Sequence, residues 1–229
     1  MTRAQSLRGR SYEILDLPAA TLRVHAMTTH SNDRMIGLTE NWLQYGLGLL
    51  YEPLSHTQDS VRLMQGGEAN CSERCAILKS ICEAAGYRCR YAGLEGHVVL
   101  EVRWRGRWHT ADPDYGVVFA TGVQELANPR FASLVSERLA ERGYSQAIIT
   151  TYLAILQSTE NNRVLAEGVE LSPRLMRIEQ ACKWAVWVLP LALLAVGGWL
   201  WRANRVVQRL QFCSLVDMWS LRRSKPSLR

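Results

Sequence analysis

The chain has 229 residues, of which 48% are hydrophobic, so it is long enough and apolar enough to bury the core of one ordinary domain. Intrinsic disorder is therefore not expected. The net charge is +6, and the seven basic residues after position 201, opposed only by Asp217, account for all of it. The remainder of the chain is close to neutral, which removes the electrostatic basis for nucleic-acid binding by the main domain.

The six cysteines contain no CxxC pair, and their spacing fits neither a disulfide framework nor a zinc site. We therefore expect no metal and no cofactor. Cys75 and Cys82 are interpreted as small apolar core residues. Unpaired thiols in this number favour a reducing compartment.

The first half of the chain carries weaker patterns. Residues 1–34 lack the apolar run of a secretory signal and are predicted to be an N-terminal segment, with a short strand at 20–24. Apolar residues at near-helical spacing predict a helix over 35–51. Residues 55–69 end in a Gly-Gly pair and are predicted to be connecting chain.

The next segment predicts a helix with well-marked ends. Asn70, followed three residues later by Glu73, has the spacing of a capping box, and Gly86 is a typical C-terminal stop. Steps of four and three place five residues on one face of this helix, which we expect to be packed: Cys71, Cys75, Leu78, Cys82 and Ala85.

Three short strands are predicted after this helix, at 88–93, 97–104 and 107–112, with a tight turn at Arg105-Gly106. Residues 123–141 and 145–157 are predicted to be helical. The sequence therefore predicts an α+β domain over 35–165, followed by a helical linker at 166–183.

Cys71 is the candidate nucleophile because of its position. As the first residue of a helix it lies beside unpaired backbone N–H groups and the positive end of the helix dipole, and both favour a thiolate.

A two-residue turn at 105–106 fixes the register of the two strands that it joins, and this register indicates the base and the acid. It pairs Val99 with Asp112, and because side chains alternate along a strand, His97 and Asp112 become diagonal neighbours on one face of the sheet. The carboxylate there can orient the imidazole. A helix carrying Cys71 laid over this same face would complete a triad of Cys71, His97 and Asp112.

Alternatives to this triad remain open in the sequence. Asp114 lies directly opposite His97 in the same pairing and is a second candidate for the acid. His109 points to the other face and is expected to be structural. A three-residue turn would reverse these faces.

The stretch GEANCSERCAILKSICEAAGYRCR, followed by GHVVLEV and RWHTADPDYG, resembles the core of the transglutaminase-like superfamily, whose fold is papain-like. The resemblance covers roughly 60–119. It implies that Cys71, His97 and Asp112 are catalytic, and that Gly86, Arg90 and Pro113 occupy structural positions of the family pattern.

The sequence departs from that pattern at two places, with Cys75 where alanine is common and His97-Val98-Val99 where His-Ala-Trp is common. The backbone N–H of Cys71 and the side chain of Gln65 are candidate oxyanion donors.

The resemblance implies a thiol-dependent hydrolase or acyltransferase that acts on a peptide or amide-bearing substrate through an acyl-enzyme. Taken singly, each of the three residues would more often be structural. Only their joint order, the capped helix and the shared sheet face together favour an active site. The alternative is a non-catalytic adaptor that binds a peptide, a glycan or a membrane protein partner.

Residues 184–201 contain no charge and carry tryptophans near both ends, which predicts a single membrane-spanning helix of about 27 Å. The alternative is a buried core helix. The basic tail at 202–229 includes a stretch, 206–221, whose apolar residues allow an alternative placement along the membrane surface, with its arginines at lipid headgroups. Its charge favours a cytoplasmic tail and an external domain, whereas the unpaired thiols and the missing signal favour a cytoplasmic domain, which is the orientation we expect.

Overall fold

The computed structural model describes residues 15–32, 35–57, 59–158 and 162–223, with side chains as far as Arg205. Within these ranges the chain is α+β, as predicted, with one antiparallel five-stranded sheet and a long C-terminal helix.

The helices and strands follow the chain in a mixed order. The helices are α1 (Leu17–Met27), α2 (Trp42–Leu50), α3 (Ser60–Gly66), α4 (Cys71–Ala84), α5 (Val123–Leu126), α6 (Ala132–Glu141), α7 (Gln146–Gln157) and α8 (Pro173–Arg223). The strands are β1 (Thr29–His30), β2 (Glu68–Ala69), β3 (Cys89–Leu94), β4 (His97–Trp104), β5 (Arg107–Asp112), β6 (Val117–Phe119) and β7 (Arg163–Val164), and 3₁₀ turns occupy Glu52–Ser55 and Pro129–Phe131.

The main sheet has the strand order β6-β5-β4-β3-β7, and β1 and β2 form a separate parallel pair. Leu100 pairs with Ala111 and Trp104 with Arg107, which is the register predicted from the two-residue turn. The turn itself carries positive φ at both Arg105 (50°) and Gly106 (81°). These values match the type I′ turn that joins twisted antiparallel strands with two residues.

Each face of the sheet is covered by its own layer of helices. On one face, α1 and α4 form a core with Tyr91, Leu100 and Val102. On the other face, α5, α6 and α7 form a second core with Val99 and Phe119. The alternation of side chains along β4 thus separates two hydrophobic cores.

The N-terminal segment differs from its prediction. Residues 20–24, predicted to be a strand, belong to α1, whose N-terminus is capped by Asp16 through a hydrogen bond from the Ala19 backbone at 3.3 Å. Leu17 and Val24 are buried in the same core as α4. The predicted domain start at residue 35 leaves out this helix, which is part of the core.

Two further predictions needed correction in this half of the chain. The helix predicted over 35–51 begins only at Trp42, where Asn41 accepts a hydrogen bond from the Gln44 backbone at 3.1 Å. The predicted connecting chain at 55–69 contains α3, which Asp59 caps. In both places a side-chain oxygen caps the N-terminus of the helix, and the apolar pattern alone does not indicate this first residue.

The C-terminal part is one continuous helix. It begins at Pro173, so residues 166–172, which were predicted to be helical, are not part of it. The helix then runs through the rest of the predicted linker, the apolar segment and much of the tail. Pro173–Arg205 is long and apolar enough to cross a membrane, with a mean hydropathy of 1.7 and none of its apolar window buried. The stretch 206–221 is helical, and its side chains lie outside the described residues.

Candidate active site

The first residue of α4 is Cys71, and the predicted capping box is present. The Asn70 side chain accepts a hydrogen bond from the Glu73 backbone at 3.0 Å, and Glu73 accepts one from the Asn70 backbone at 2.9 Å. At the other end Gly86 has a φ of 86° and terminates the helix, as predicted. Cys71 therefore lies at the positive end of a helix of 14 residues.

Cys71 is half-buried, whereas the other described cysteines, Cys75, Cys82, Cys89 and Cys182, are buried free thiols. The neighbouring thiol of Cys75 donates a hydrogen bond to the backbone oxygen of Val98 at 3.3 Å. Burial raises the pKa of Cys75 well above its usual value. Cys75 therefore fixes α4 against β4 as an inert thiol, and Cys71 is the accessible one.

His97 and Asp112 form a hydrogen-bonded pair, with His97 Nε2 donating to Asp112 Oδ2 at 2.7 Å. The imidazole is 8% exposed and the carboxyl group is fully buried. Since Nε2 faces the carboxylate, Nδ1 is the ring nitrogen left for another partner.

The electrostatics of the pair favour the imidazolium. Burial lowers the pKa of His97, but the charge of Asp112, its hydrogen bond and the interaction with the Cys71 side chain outweigh burial and raise this pKa from 6.5 to about 11. The imidazole thus bonds the Asp112 carboxyl group, and the Cys71 side chain lies close enough to influence its pKa.

The second oxygen of Asp112 is held by the backbone. Asp112 Oδ1 accepts hydrogen bonds from the N–H groups of Asp114 and Tyr115 at 2.9 and 3.2 Å. This turn fixes the carboxyl group in one orientation, because both of its oxygens have partners.

The other candidate acid has different partners. Asp114 Oδ1 lies 3.1 Å from Arg74 Nη1 and 2.8 Å from His30 Nδ1. The predicted structural residue His109 lies 5.2 Å from the ring of Trp104 and bonds the Arg107 backbone. Among the alternatives left open by the sequence, Asp112 is therefore the acid in contact with His97.

The position of α4 differs from the prediction. His97 and Asp112 share their sheet face with Val99 and Val117, which belong to the core under α5–α7. The helix α4 packs on the opposite face, against Leu100 and its neighbours. His97 is the first residue of β4, and the Cys71 side chain at the tip of α4 influences its pKa. Contrary to the prediction, the body of α4 does not lie over His97 and Asp112.

Two groups of residues at the site were not predicted. Tyr115 and Tyr152 meet the His97 ring edge to face at centroid distances of 5.6 and 6.1 Å. Tyr152 is 1% exposed, and burial together with the charge of Asp112 raises the pKa of its hydroxyl well above the usual value. Tyr152 comes from α7, and nothing in its sequence neighbourhood indicates contact with His97, which lies 55 positions earlier.

The second group is a cationic clamp centred on Arg74, which is 2% exposed. Its guanidinium donates to the backbone oxygens of Thr28 at 2.6 Å and Asp114 at 3.1 Å. His25 donates to the same Asp114 oxygen at 3.0 Å. The clamp ties α1 and α4 to the loop that follows Asp112. The sequence indicates this clamp by the charge of Arg74, which lies one helical turn after Cys71 and next to a position expected to be buried.

Of the two candidate oxyanion donors, the Cys71 backbone N–H lies at the helix tip and Gln65 is an exposed residue of α3. No group of three or more acidic, histidine or cysteine side chains that could hold a metal occurs among the described residues.

No family model matches the chain, and no curated protein or solved structure matches it either. What the site does therefore has to be inferred from its own geometry.

Proposed function

We propose that the chain is a thiol-dependent hydrolase or acyltransferase, with Cys71 as the nucleophile, His97 as the general base and acid, and Asp112 as the residue that orients His97. The observation that carries the proposal is the 2.7 Å hydrogen bond between His97 and Asp112 beside a half-buried cysteine at a helix N-terminus.

The chemistry follows from the three groups. Because the raised pKa of His97 favours the imidazolium, the proton of Cys71 resides on His97 in the resting site, and the thiolate attacks the carbonyl carbon of an amide or ester to form a tetrahedral oxyanion. The backbone N–H of Cys71 is the oxyanion donor that we propose. His97 then protonates the leaving group, which departs and leaves a thioester on Cys71. Water or an amine, deprotonated by His97, releases the acyl group and restores the thiol.

The resemblance to the transglutaminase-like superfamily supports the same roles. A cysteine opens a helix, a histidine begins a strand, and an aspartate precedes a proline, in the order of the family pattern. The α+β fold with an antiparallel sheet agrees with a papain-like core. We favour hydrolysis of a peptide or amide bond, because water is always available.

We further propose that α8 tethers this domain to a membrane as a single span. The uncharged segment 184–201 is about 27 Å long as a helix, close to the thickness of a hydrocarbon core. Its side chains from Trp187 to Trp201 are exposed, which a core helix would not show. The free thiols of the domain favour a cytoplasmic location.

The test uses the full chain in detergent micelles. Iodoacetamide near neutral pH is expected to alkylate Cys71 selectively, and p-nitrophenyl acetate is expected to leave an acetyl group on Cys71 that mass spectrometry detects. Cys71→Ala should abolish both products, while Cys89→Ala, which changes a buried thiol, should retain them. If Cys71 reacts no faster in the wild type than in His97→Ala, the site is not catalytic, and the domain is an adaptor that binds its partner without turnover.

A further inference from the structure

The helix α2 exposes an apolar face that no described element covers. Leu50 is 86% exposed, Leu49 66% and Trp42 43%, and the flanking Leu38 and Tyr51 are also exposed. A side chain at Gly46, between Trp42 and Leu49 on the same side, would meet no atom within 4 Å. We call these five residues, Leu38, Trp42, Leu49, Leu50 and Tyr51, the α2 apolar face.

The opposite side of α2 is anchored in the domain. Gln44 is buried and donates a hydrogen bond to the Leu54 backbone oxygen at 3.2 Å. Gly48 approaches Ser55 so closely that a Cβ would lie 3.0 Å from it. The orientation of α2 is therefore set by the protein, and the apolar face points outward because of these contacts.

The same region holds the start of the apolar part of α8. Both α2 and the turn Glu52–Ser55 pack against α8. Lys183 donates to Asp59 at 2.7 Å, and Thr57 donates to Glu179 at 2.5 Å. These polar contacts end one residue before Trp184, where the uncharged segment begins.

Burial on α8 ends within the first three residues of that segment. Ala185 and Val186 are partly covered, whereas every described residue after them on α8 is exposed. The α2 apolar face consequently lies at the level where the helix would enter a bilayer.

We propose that the α2 apolar face is a membrane-contact surface that inserts into the interfacial layer of the bilayer entered by α8. This inference rests on the membrane tether proposed above. Lipid is the proposed partner because the α2 apolar face lies beside the start of the apolar segment of α8. The residue types of the face also favour contact with lipid. Leucine side chains lose their contact with water there, while Trp42 and Tyr51 have the amphipathic rings that favour the headgroup boundary.

The experiment places a photoreactive diazirine amino acid at Leu50 of the full chain, in phosphatidylcholine proteoliposomes. Leu50 is chosen because its exposure allows replacement without disturbing the core. Matched variants carry the same group at Ile148, which is 38% exposed on α7, and at Val188 inside the uncharged segment. After irradiation, lipid adducts are quantified by mass spectrometry, and cross-linked dimers by gel electrophoresis.

We expect lipid adducts at Leu50 and Val188 at least tenfold above those at Ile148. Adducts at Val188 together with only background at Leu50 would leave the tether intact and overturn the membrane-contact surface. Background at both positions would overturn the tether itself. Dimers from Leu50 in place of lipid adducts would assign the α2 apolar face to a second copy of the chain and contradict the proposal.

Discussion

His97 and Asp112 lie 15 positions apart in the chain and share a buried hydrogen bond of 2.7 Å. The hairpin between them accounts for this contact, since a two-residue turn and a fixed register place both side chains on one face of the sheet. The side chain of Cys71, at the tip of α4, influences the pKa of the same imidazole.

Replacing His97 tests its role as the base. His97→Ala removes the group that we propose as the acceptor of the Cys71 proton, so alkylation of Cys71 by iodoacetamide at pH 7 is expected to slow by about 10²-fold. The matched control is His109→Ala, which removes a buried histidine from the other sheet face. Stopped alkylation reactions analysed by mass spectrometry provide the rates. Equal slowing in the two variants would contradict a specific role for His97.

Replacing Asp112 tests the orienting acid. Asp112→Asn keeps the shape of the side chain but favours the wrong imidazole tautomer, so acetylation of Cys71 by p-nitrophenyl acetate should slow by about 10³-fold or more. Asp114→Asn is the control, because Asp114 contacts Arg74 and His30 in place of His97. We expect it to lose less than about tenfold, since a neutral partner still accepts hydrogen bonds. The opposite ranking would make Asp114 the acid.

The raised pKa of His97 predicts a pH-dependent stability. Because this pKa is about 11 in the folded chain and 6.5 in the unfolded chain, His97 takes up a proton on folding between these values. Its stabilising effect is complete below about pH 6.5 and is lost as the pH rises toward 11, by up to about 1.4 kcal/mol for each pH unit.

Denaturant titrations in detergent between pH 6 and 9.5 measure this effect. The free energy of unfolding of the wild type should exceed that of His97→Gln by the largest amount at pH 6, and the difference should shrink at higher pH. A difference that stays constant over the range would show that the pair holds no extra proton.

Tyr152 is expected to support Asp112 without touching the reacting atoms. Tyr152→Phe removes a buried hydroxyl that feels the charge of Asp112 but makes no hydrogen bond among the described residues, and it leaves the ring that packs on His97. The loss of one such polar interaction, about 1 kcal/mol, predicts about a fivefold slower acetylation of Cys71. The pH profile of the rate should also shift, which a purely structural change would not cause. Thr150→Ala, which alters an exposed hydroxyl on the same helix, should leave both unchanged.

Local patterns predicted the elements that carry the site. The capping box at Asn70 and Glu73, the stop at Gly86 and the turn at Arg105-Gly106 all depend on residues within four positions of each other, and all three are present. The register of β4 and β5 followed from that turn. Such features could be predicted because the sequence neighbours themselves determine the backbone geometry.

The features that depend on distant contacts could not be predicted in this way. The face on which α4 packs is decided by which core accepts Leu78 and Cys82, and the pattern on the helix is the same for either face. Tyr152 meets the His97 ring only because α7 covers the sheet. The apolar spacing over 35–51 fits a helix that begins earlier than Trp42, and the Gly66-Gly67 pair fits connecting chain as well as the end of α3. Neither pattern therefore determined the observed helix.

The candidate site depends on both hydrophobic cores, because each core holds a different part of it. The sulfur is carried by a helix rooted in one core, while the ring and the acid are rooted in the other, so neither half alone assembles a reactive pair. A partly unfolded chain that retains only one of the two helix layers would therefore lack the enhanced reactivity of the Cys71 thiol. The reactivity of Cys71 would then report the integrity of the entire domain.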